Sequence, residues 1–567
     1  MKQLFVISFL LLYFSCFGQE KYPQNYFRQP LDIPIFLSGS FGELRSNHFH
    51  AGLDIKTLGK QGLNVYATAD GYVSRIKVQQ FGYGKAIYIT HPNGFTTVYG
   101  HLSKFADKIE EYVKSIQYQK ENYATGNLYF KKDKFPIKKG EVIALSGDTG
   151  GSGGPHLHYE IRNTKTEHVI NPLLFGVKVE DTKEPTFQGL KVYALSSDAR
   201  INQQRINFQI PIKNIDKGNY VADRITASAS IGFGVSVFDR FNEMPNKNGI
   251  YSLEMLVNGK RFYYHDVETF SFSESKFLNL HIDYEHYKKY KRRYQKTHRV
   301  ASNKLSTYKE LVNSGKINIQ KNFNYTVEII AKDFKGNSSS IKIPIVGKES
   351  NAIFTEQKDT TAYKVIATNF NKFKIKNVTV AFPKKTFYEN VYLDFKVDNK
   401  IAKIHTPTIP LDKSFTLTFN VSEYSEIEKQ SLYIANIEHP KYPRYLFTRK
   451  KDSTFFITTK TLGSYTLLSD SKKPTLELLY FKDQQWLTNA KTLKVRIVDI
   501  GSGIKDFRAT IDGKWVLMQY NHKKRILTYN FSDKKLFGSK HIFKIVVSDN
   551  VGNTNALSAT FFKKQIN

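Results

Sequence analysis

Residues 71–78 read Gly-Tyr-Val-Ser-Arg-Ile-Lys-Val, and apolar and polar side chains alternate along them. Because successive side chains of a β-strand point to opposite faces, this alternation predicts a strand with one buried face. The same pattern recurs in residues 86–90 (Ala-Ile-Tyr-Ile-Thr) and 97–101 (Thr-Val-Tyr-Gly-His), and the turn signal Pro92-Asn93-Gly94 separates these two runs. Together the runs predict a β-rich region over residues 31–178, in which glycine residues interrupt the strand-forming runs.

The composition extends this prediction to the whole chain. A chain of 567 residues is too long to fold around a single hydrophobic core, and this length predicts about three to five structural units. Hydrophobic residues make up 40% and charged residues 24%, a balance typical of a folded protein. The 35 Tyr and 43 Phe, together with Val, Ile and Thr in alternating runs, favour strands over helices. We therefore predict an all-β protein.

The N-terminus has the features of a secretory signal peptide at residues 1–18. Lys2 supplies a positive charge, Leu4–Phe14 form an apolar stretch, and a short exit region leads to cleavage before Gln19. A membrane-spanning helix needs roughly 20 apolar residues, so this stretch is too short, and no later stretch is long and apolar enough. The sequence thus predicts an exported mature chain without a transmembrane segment, in the periplasm or cell envelope, or secreted.

Cys16 is the only cysteine of the chain. Cleavage after Gly18 leaves a mature chain without cysteine, which cannot form disulfide bonds. Lipid attachment at Cys16 is the alternative, although the bulky Tyr13 and Phe14 before it match such a site poorly.

The chain is strongly basic, with a formal net charge of +33. This charge favours binding to anionic polymers of the cell envelope, and a solvated basic surface is the alternative interpretation. No nucleic-acid-binding motif occurs, so no nucleic-acid partner is predicted.

An internal repeat organises the C-terminal part. Residues 181–186 (Asp-Thr-Lys-Glu-Pro-Thr) match 470–475 (Asp-Ser-Lys-Lys-Pro-Thr), and residues 333–337 (Asp-Phe-Lys-Gly-Asn) match 549–553 (Asp-Asn-Val-Gly-Asn). Short alternating strands and Asn-Gly or Asp-Gly turns in each copy indicate immunoglobulin-like β-sandwiches. The predicted units are a signal peptide at 1–18, a β-domain at 19–180, an immunoglobulin-like sandwich with a basic insertion at 181–348, a further β-sandwich at 349–469 and an immunoglobulin-like sandwich at 470–567.

Two segments interrupt the strand pattern. In the first half of Ser103–Lys134 the apolar residues have helical spacing, which predicts an inserted helix and loop on the rim of the first β-domain. The second segment, Tyr284–Ile319, contains the basic and aromatic run Tyr287–Tyr294. That run is either a contact for an anionic polymer or an exposed helix face.

The first candidate site segment is His50-Ala51-Gly52-Leu53-Asp54. His and Asp are both zinc ligands, with bonds of roughly 2.0–2.2 Å. On a straight strand, residues four apart are separated by about 13 Å, too far to share one ion. The two side chains can therefore meet only if the segment bends, which Gly52 permits.

Two further histidine segments lie downstream. In His156-Leu157-His158 a strand places both imidazoles on one face, which suits one metal ligand and one neighbouring catalytic group. The preceding residues 146–155 are glycine-rich, and they form either one wall of a substrate groove or a long turn. His101, in Tyr99-Gly100-His101, gains significance only together with the other two segments.

The segments Phe49–Asp54, Tyr99–Leu102 and Gly154–His158, in this order, closely resemble the lysostaphin/LytM-type zinc metalloendopeptidases. The match covers about residues 35–175. The resemblance implies a LytM-type zinc peptidase domain at 19–180, with an antiparallel β-sheet groove and one Zn²⁺ ion per chain on its floor.

The resemblance also implies the roles of individual residues. His50, Asp54 and His158 match the three zinc ligands, and His101 and His156 match two non-ligand histidines that assist catalysis. One of these two would accept a proton from the attacking water and the other would stabilise the oxyanion, in an order left open. His48 and His91 fall outside the motifs and are predicted to be non-catalytic.

The activity implied by the resemblance is zinc-dependent hydrolysis of peptide cross-bridges in bacterial peptidoglycan. Two other functions stay open. One is a wall-binding scaffold or hydrolase activator whose zinc site is idle, and the other is a secreted protease that acts on glycine-rich proteins.

Overall fold

The computed structural model describes residues 21–349 and 360–564. The predicted signal peptide at 1–18, with Cys16, lies outside these residues. The protein is mostly β, with 46% strand and 8% helix, in agreement with the all-β prediction. No helix among the described residues has the length and apolar character needed to cross a membrane.

The first β-domain is built around one large antiparallel sheet. Its elements are β1 (Leu37–Gly39), β2 (Leu53–Lys56), β3 (Asn64–Tyr66), β4 (Gly71–Val78), β5 (Lys85–Thr90), β6 (Phe95–Leu102), β7 (Lys104–Phe105), α1 (Asp107–Gln119), β8 (Gly126–Tyr129), β9 (Pro136–Ile137), β10 (Val142–Leu145), β11 (His156–Asn163) and β12 (Val169–Ile170). The large sheet has the order β1-β2-β11-β6-β5-β4-β8, with β12 on β11 and β9 on β4. A small sheet, β3-β10-β7, shares its hydrophobic core.

The predicted inserted helix is present as α1. Ile109 and Val113, four residues apart, are buried in the core of the first domain. Glu110 of the same helix accepts a hydrogen bond at 3.0 Å from the buried Lys85 Nζ of β5. The ion pair and the apolar side chains together fix α1 against the sheet.

The second unit continues the β-architecture. Its elements are β13 (Thr186–Ala194), β14 (Arg200–Ile201), β15 (Phe208–Ile210), β16 (Ile212–Asp216), β17 (Asn219–Ala222), β18 (Ile225–Phe238), β19 (Ser252–Val257), β20 (Lys260–Asp266), β21 (Thr269–Phe270), α2 (Leu278–His281), α3 (Tyr284–Tyr290), β22 (Gln295–Lys296), β23 (Tyr308–Leu311), β24 (Ile317–Ile319), β25 (Asn324–Lys332) and β26 (Ser338–Gly347). Its main sheet has the order β15-β13-β18-β26-β25-β19-β20-β23 around a separate core.

The first domain and the second unit are joined through one hydrophobic core. Strand β21 pairs with β12 and so extends the large sheet of the first domain. Val267, Phe270 and Leu278 of the second unit are buried among the core residues of the first domain. Residues on both sides of the predicted boundary near residue 180 therefore contribute to the hydrophobic core of the first domain.

The basic run Tyr287–Tyr294 is only partly an exposed helix face. Tyr290, at the end of α3, is 67% exposed. Tyr294 is fully buried, and its hydroxyl donates a hydrogen bond of 2.9 Å to Gln209 Oε1. The end of the run thus anchors it to the second unit.

The third unit has two five-stranded sheets around one core. Its elements are β27 (Lys364–Val365), β28 (Asn371–Ile375), β29 (Val378–Phe382), β30 (Val391–Tyr392), β31 (Phe395–Asp398), β32 (Ile401–Ile404), β33 (Phe415–Asn420), α4 (Glu426–Ser431), β34 (Leu432–Asn436), β35 (Arg444–Tyr445), β36 (Arg449–Lys451), β37 (Thr454–Thr459) and β38 (Ser464–Ser469). The sheets have the orders β28-β29-β33-β37-β36 and β31-β32-β38-β34-β35.

The fourth unit also packs two sheets, of four and five strands, around one core. Its strands are β39 (Thr475–Leu479), β40 (Gln485–Trp486), β41 (Thr492–Val498), β42 (Ile504–Ile511), β43 (Lys514–Trp515), β44 (Gln519–Asn521), β45 (Ile526–Asn530), β46 (Lys540–Asp549) and β47 (Thr554–Phe562). The fourth unit contacts the first domain, where Lys523 Nζ lies 2.9 Å from the Asp148 carboxylate in the glycine-rich segment.

Candidate metal centre

Two neighbouring strands hold two of the three predicted ligands. Strands β2 and β11 are antiparallel, and Asp54 is the register partner of His158. Directly opposite residues of an antiparallel pair project from the same face, so these two side chains meet. His50 lies four residues before Asp54, just ahead of β2, and its ring reaches the same place.

The chain bends at Gly52, as the sequence predicted, and close packing explains why glycine stands there. A Cβ atom on Gly52 would lie 2.4 Å from the carbonyl oxygen of Tyr159 in β11. That distance is far below a van der Waals contact, so any side chain would push β2 away from β11. Gly52 therefore lets the His50 segment lie against the strand that carries His158.

The three predicted ligand atoms converge. His158 Nδ1 lies 2.8 Å and His50 Nε2 lies 3.0 Å from Asp54 Oδ1, and the two nitrogens are 3.2 Å apart. Ligands bound at about 2.0–2.2 Å around a tetrahedral zinc ion are separated by about 3.3 Å. Two imidazole nitrogens and one carboxylate oxygen at this spacing form a donor set suited to zinc.

The outward nitrogens of both rings define their tautomers. His50 Nδ1 lies 2.7 Å from the carbonyl oxygen of Ser40, and His158 Nε2 lies 2.8 Å from Glu160 Oε1. The Ser40 carbonyl oxygen and the ionised Glu160 carboxylate can accept hydrogen bonds but cannot donate them. His50 Nδ1 and His158 Nε2 must therefore each carry a proton. The inward nitrogens, His50 Nε2 and His158 Nδ1, face one point and can bind a metal ion there once it displaces any proton they carry.

The charges of the centre are strongly coupled. Burial raises the pKa of Asp54, but the imidazoles of His50, His156 and His158 outweigh it and hold that pKa well below its usual range. Burial likewise raises the pKa of Glu160, but Arg162 and His158 lower it to about 2. Burial opposes protonation of His158, yet hydrogen bonds to Asp54 and Glu160 raise its pKa to about 9. Both carboxylates are therefore ionised at neutral pH.

His101 and His156 lie side by side above the ligand group, with ring centroids 4.7 Å apart. His101 Nδ1 donates to the carbonyl oxygen of Thr149 at 2.8 Å, and His156 Nδ1 donates to that of Gly154 at 2.8 Å. Each ring therefore keeps Nε2 free as an acceptor in its neutral form. His156 Nε2 is 3.4 Å from Asp54 Oδ1, so the pair borders the ligand group directly.

His101 also has an unusual backbone. Its φ angle is 59°, in the left-handed region that non-glycine residues seldom adopt and that is enriched at functional sites. Burial, reinforced by the neighbouring His158 and His156, lowers the pKa of His101 to about 3. The ring is thus neutral at physiological pH and able to accept a proton.

Several supporting residues were not singled out from the sequence. Glu160 lies two positions after His158 on β11, so both side chains lie on the same face of the strand. This spacing could have identified Glu160 from the sequence. Tyr83 and Arg162 bind the Glu160 carboxylate at 2.5 and 2.6 Å, and Arg45 Nη2 lies 3.1 Å from Asp54 Oδ2. Tyr83 and Arg45 come from loops whose course no periodicity reveals.

Two further histidines between residues 48 and 158 lie outside the centre. His48 is exposed, and its Nδ1 lies 2.9 Å from the carbonyl oxygen of Ser46. His91 is buried between the Asp70 carbonyl and the Thr97 hydroxyl, each at 2.8 Å. Neither contacts the three predicted ligands.

Comparison with known proteins assigns a family to the region that carries this centre. Residues 48–118 and 119–172 match the model of Peptidase family M23. The chain therefore carries an M23 metallopeptidase domain near its N-terminus, and the lysostaphin-type resemblance of its histidine motifs is confirmed at that level.

Curated relatives match over a similar length. The DD-carboxypeptidase/endopeptidase Mpg of Neisseria meningitidis serogroup B is 38% identical over 119 residues, 21% of this chain and 21% of that protein. A protein of Haemophilus influenzae named "uncharacterized metalloprotease" is 34% identical over 160 residues, 27% of this chain and 28% of that protein. The peptidoglycan DD-endopeptidase ShyA of Vibrio cholerae is 33% identical over 140 residues, 24% of this chain and 26% of that protein. The chain thus spans about a quarter of the length of these relatives.

Solved structures give a similar match. The catalytic domain of lysostaphin from Staphylococcus simulans is 23% identical, and the match covers 24% of this chain and 90% of that chain with a TM-score of 0.19.

A second family model, described as a Zu5-like domain, matches residues 362–470. The third unit, predicted as a further β-sandwich, is therefore Zu5-like, a type that the sequence pattern did not distinguish from an immunoglobulin-like one. Alternating strands and turn residues are common to both types, so they could not separate them.

Proposed function

We propose that this protein is an exported zinc metalloendopeptidase that hydrolyses peptide cross-bridges of bacterial peptidoglycan. The observation that carries the proposal is the convergence of His50 Nε2, Asp54 Oδ1 and His158 Nδ1 within 3.2 Å of one another. The M23 match and the relatives named as peptidoglycan endopeptidases support the substrate class.

In this proposal His50, Asp54 and His158 hold one zinc ion. When bound, zinc polarises a substrate carbonyl and lowers the pKa of bound water to about 7. Glu160 keeps the His158 ring oriented, and Arg45 holds Asp54 through the oxygen that faces away from the histidines. Three protein ligands leave room for water and substrate, as in catalytic rather than structural zinc sites.

His101 and His156 are proposed to act on the reacting atoms. Each ring presents Nε2 beside the ligand group, where it can accept a proton from water or, once protonated, donate to a developing oxyanion. The first proton acceptor must be a neutral ring, and the lowered pKa of His101 keeps its ring in that form. His156, whose Nε2 lies 3.4 Å from Asp54, is then placed to stabilise the oxyanion.

We further propose that the chain acts in the cell envelope and that the downstream units anchor the peptidase. The units at 181–348 and 470–567 are assigned as immunoglobulin-like on their shared repeat, and separate hydrophobic cores support the division. The net charge of +33 suits binding to anionic envelope polymers as well as to peptidoglycan.

The test is digestion of purified peptidoglycan sacculi by the chain from Gln19 onward. New amino groups and released cross-link fragments are expected, and they should disappear with a zinc chelator and return with added zinc. His158→Ala and His101→Ala should each lower the rate at least about 100-fold, because a ligand or a proton-transfer group is lost. His168→Ala, which changes an exposed histidine of the same domain, is the matched control.

The alternatives predict different results. Tight binding to sacculi without cleavage, unchanged in Asp54→Ala, would support a scaffold or activator. Cleavage of a glycine-rich protein but not of sacculi would support a secreted protease. Full activity of His158→Ala would refute the assigned ligand set.

A further inference from the structure

Three carboxylates converge at the junction between the first domain and the second unit. Asp181 follows the core residue Val179, Asp239 follows β18, and Asp333 follows β25. One oxygen from each carboxylate lies within 4.8 Å of the others. The three residues are only 8%, 2% and 3% exposed, respectively. This group is separate from the zinc ligands.

Hydrogen bonds satisfy only part of this group. Asn337 donates to both oxygens of Asp333, at 2.9 and 2.6 Å, and the backbone N–H of Lys183 donates to Asp181 Oδ1 at 3.1 Å. Asp181 Oδ2 and Asp239 Oδ1 have no hydrogen-bond partner among the described residues. Buried carboxylates that repel one another and lack donors are stabilised either by protonation or by a cation bound between them.

An uncharged polar residue, Asn248, pairs with one member of the same group. Asn248 forms an antiparallel bridge with Asp239, which places the two side chains on one face. The residue is 3% exposed, and its Nδ2 donates to the carbonyl oxygen of Asn246 at 3.3 Å. Its Oδ1 has no partner in the described part of the chain. Asn248 can therefore add an amide oxygen to the carboxylates.

The fourth unit contains a second acidic triad, whose carboxylates accept backbone hydrogen bonds, at 2.6 Å from Ser502 to Asp470 and at 2.6 Å from Gly503 to Asp499. Asp470, Asp499 and Asp549 also place one oxygen each within 4.8 Å of the others. The internal repeat aligns Asp470 with Asp181 and Asp549 with Asp333. The two triads thus occupy matching positions in units of different sequence.

The same asparagine closes each triad. Asn337 Nδ2 donates to Asp333 Oδ2 at 2.6 Å and to the Asp181 carbonyl at 3.3 Å. Asn553 Nδ2 donates to Asp549 Oδ2 at 2.7 Å and to the carbonyl oxygen of Asp470, the first residue of the fourth unit, at 3.0 Å. The repeat has therefore kept a particular geometry and not only a negative charge.

We propose that Asp181, Asp239 and Asp333 bind a calcium ion, and that Asp470, Asp499 and Asp549 bind a second. The ligands are all oxygen, which hard cations select, whereas zinc favours nitrogen and sulfur. Calcium–oxygen bonds are about 2.3–2.6 Å long, so oxygens within 4.8 Å of one another are close enough to share one calcium ion. Magnesium has shorter bonds and gives up its water reluctantly, so a buried carboxylate group suits it less.

Each ion would lie where one unit joins the next. Asp181 lies between the first domain and β13, and Asp470 lies between β38 of the third unit and β39 of the fourth. The other ligands of each triad come from the unit that follows. Calcium would therefore fix the direction in which each unit leaves the one before it. This inference does not rest on the proposed peptidase activity.

The test measures calcium binding to the chain from Gln19 onward after metal removal on a chelating resin. Equilibrium dialysis against CaCl₂, followed by elemental analysis, should give about two bound calcium ions per chain, one for each triad. Saturating CaCl₂ should raise the Tm by about 5 °C, and MgCl₂ at equal ionic strength should raise it clearly less. Absence of calcium binding, or an equal effect of magnesium, would overturn the proposal.

Isosteric variants assign the ions to the triads. Asp239→Asn and Asp499→Asn should each remove one bound calcium. Without calcium, Asp239→Asn should be no less stable than the original chain, because one of three repelling charges is gone. Asp223→Asn, which changes an exposed carboxylate of the second unit, should bind both ions, as should the zinc-ligand variant His158→Ala. Undiminished calcium binding in Asp239→Asn or Asp499→Asn would refute the corresponding site, whether or not the chain cleaves peptidoglycan.

Discussion

Glu160 Oε1 lies 2.8 Å from His158 Nε2, on the side of the ring that faces away from Asp54. The carboxylate is fully buried and is held in turn by Arg162 and Tyr83. A carboxylate in this position fixes the ring orientation and the tautomer, and it makes the inward nitrogen a stronger ligand. Glu160 therefore supports the proposed metal centre by holding His158, although it is not itself one of the three proposed ligands.

Glu160→Gln should weaken zinc binding about 10- to 100-fold, because the amide holds the His158 ring without a negative charge. Competition with a colorimetric zinc chelator measures this affinity directly. Glu167→Gln is the matched control, since Glu167 also binds Arg162, at 2.7 Å, but does not contact the histidine. Equal zinc affinity of the Glu160→Gln and Glu167→Gln variants would rule out this role of Glu160.

Gly52→Ala should destabilise the first domain by about 1–3 kcal/mol, because its methyl group would meet the Tyr159 carbonyl at 2.4 Å. Displacement of β2 from β11 should also lower zinc affinity. Gly153→Ala serves as the control, since a Cβ there has no neighbour within 4 Å. Urea unfolding and zinc titration of both variants test this expectation, and a normal zinc affinity in Gly52→Ala would contradict it.

A chain limited to residues 19–180 should unfold at a lower temperature than one comprising residues 19–348. Val267, Phe270 and Leu278 complete the core of the first domain from outside its predicted boundary. Each large apolar side chain contributes about 1.5–3 kcal/mol when buried. Calorimetry on both chains tests this dependence, and equal melting temperatures of the first domain would show that it is self-sufficient.

Stability should fall as the pH drops below about 6.5, with His91 as one cause. Burial lowers the pKa of His91 to about 4, whereas an unfolded histidine has a pKa of about 6.5. Between these values the unfolded chain binds a proton that the folded chain does not, so acid favours unfolding. His91 should therefore lower the free energy of unfolding at pH 5 by about 2 kcal/mol relative to neutral pH.

Urea unfolding near pH 7.5 and near pH 5 measures this loss. In His91→Gln the decrease should be smaller by about that amount, whereas the exposed control His168→Gln should behave like the original chain. An unchanged pH dependence in His91→Gln would assign the acid sensitivity to other groups.

The sequence was sufficient for the parts of the site that lie on regular strands. Alternation located β4, β5 and β6, and the two-residue spacing of His156 and His158 placed both rings on one face of β11. The bend at Gly52 followed from the requirement that His50 and Asp54 share an ion. In each case a short-range geometric rule connected residues that are close along the chain.

Such short-range rules could not predict the contacts between segments that are far apart along the chain. The carbonyl oxygens of Ser40 and Thr149, which fix the His50 and His101 tautomers, come from loops without periodicity. The contribution of Phe270 to the first core joins residues about a hundred positions apart, which no local pattern encodes. The acidic triads likewise combine distant carboxylates that only the folded chain brings together.

Strand β12 would be an open edge of the large sheet if β21 did not pair with it. An unpaired edge offers a row of amide donors and carbonyl acceptors to any extended polypeptide, including other copies of the same protein. By covering that row with Thr269 and Phe270, the second unit protects the catalytic sheet from edge-to-edge aggregation. A peptidase transplanted into another protein would need this short strand, or a substitute for it, to stay monodisperse.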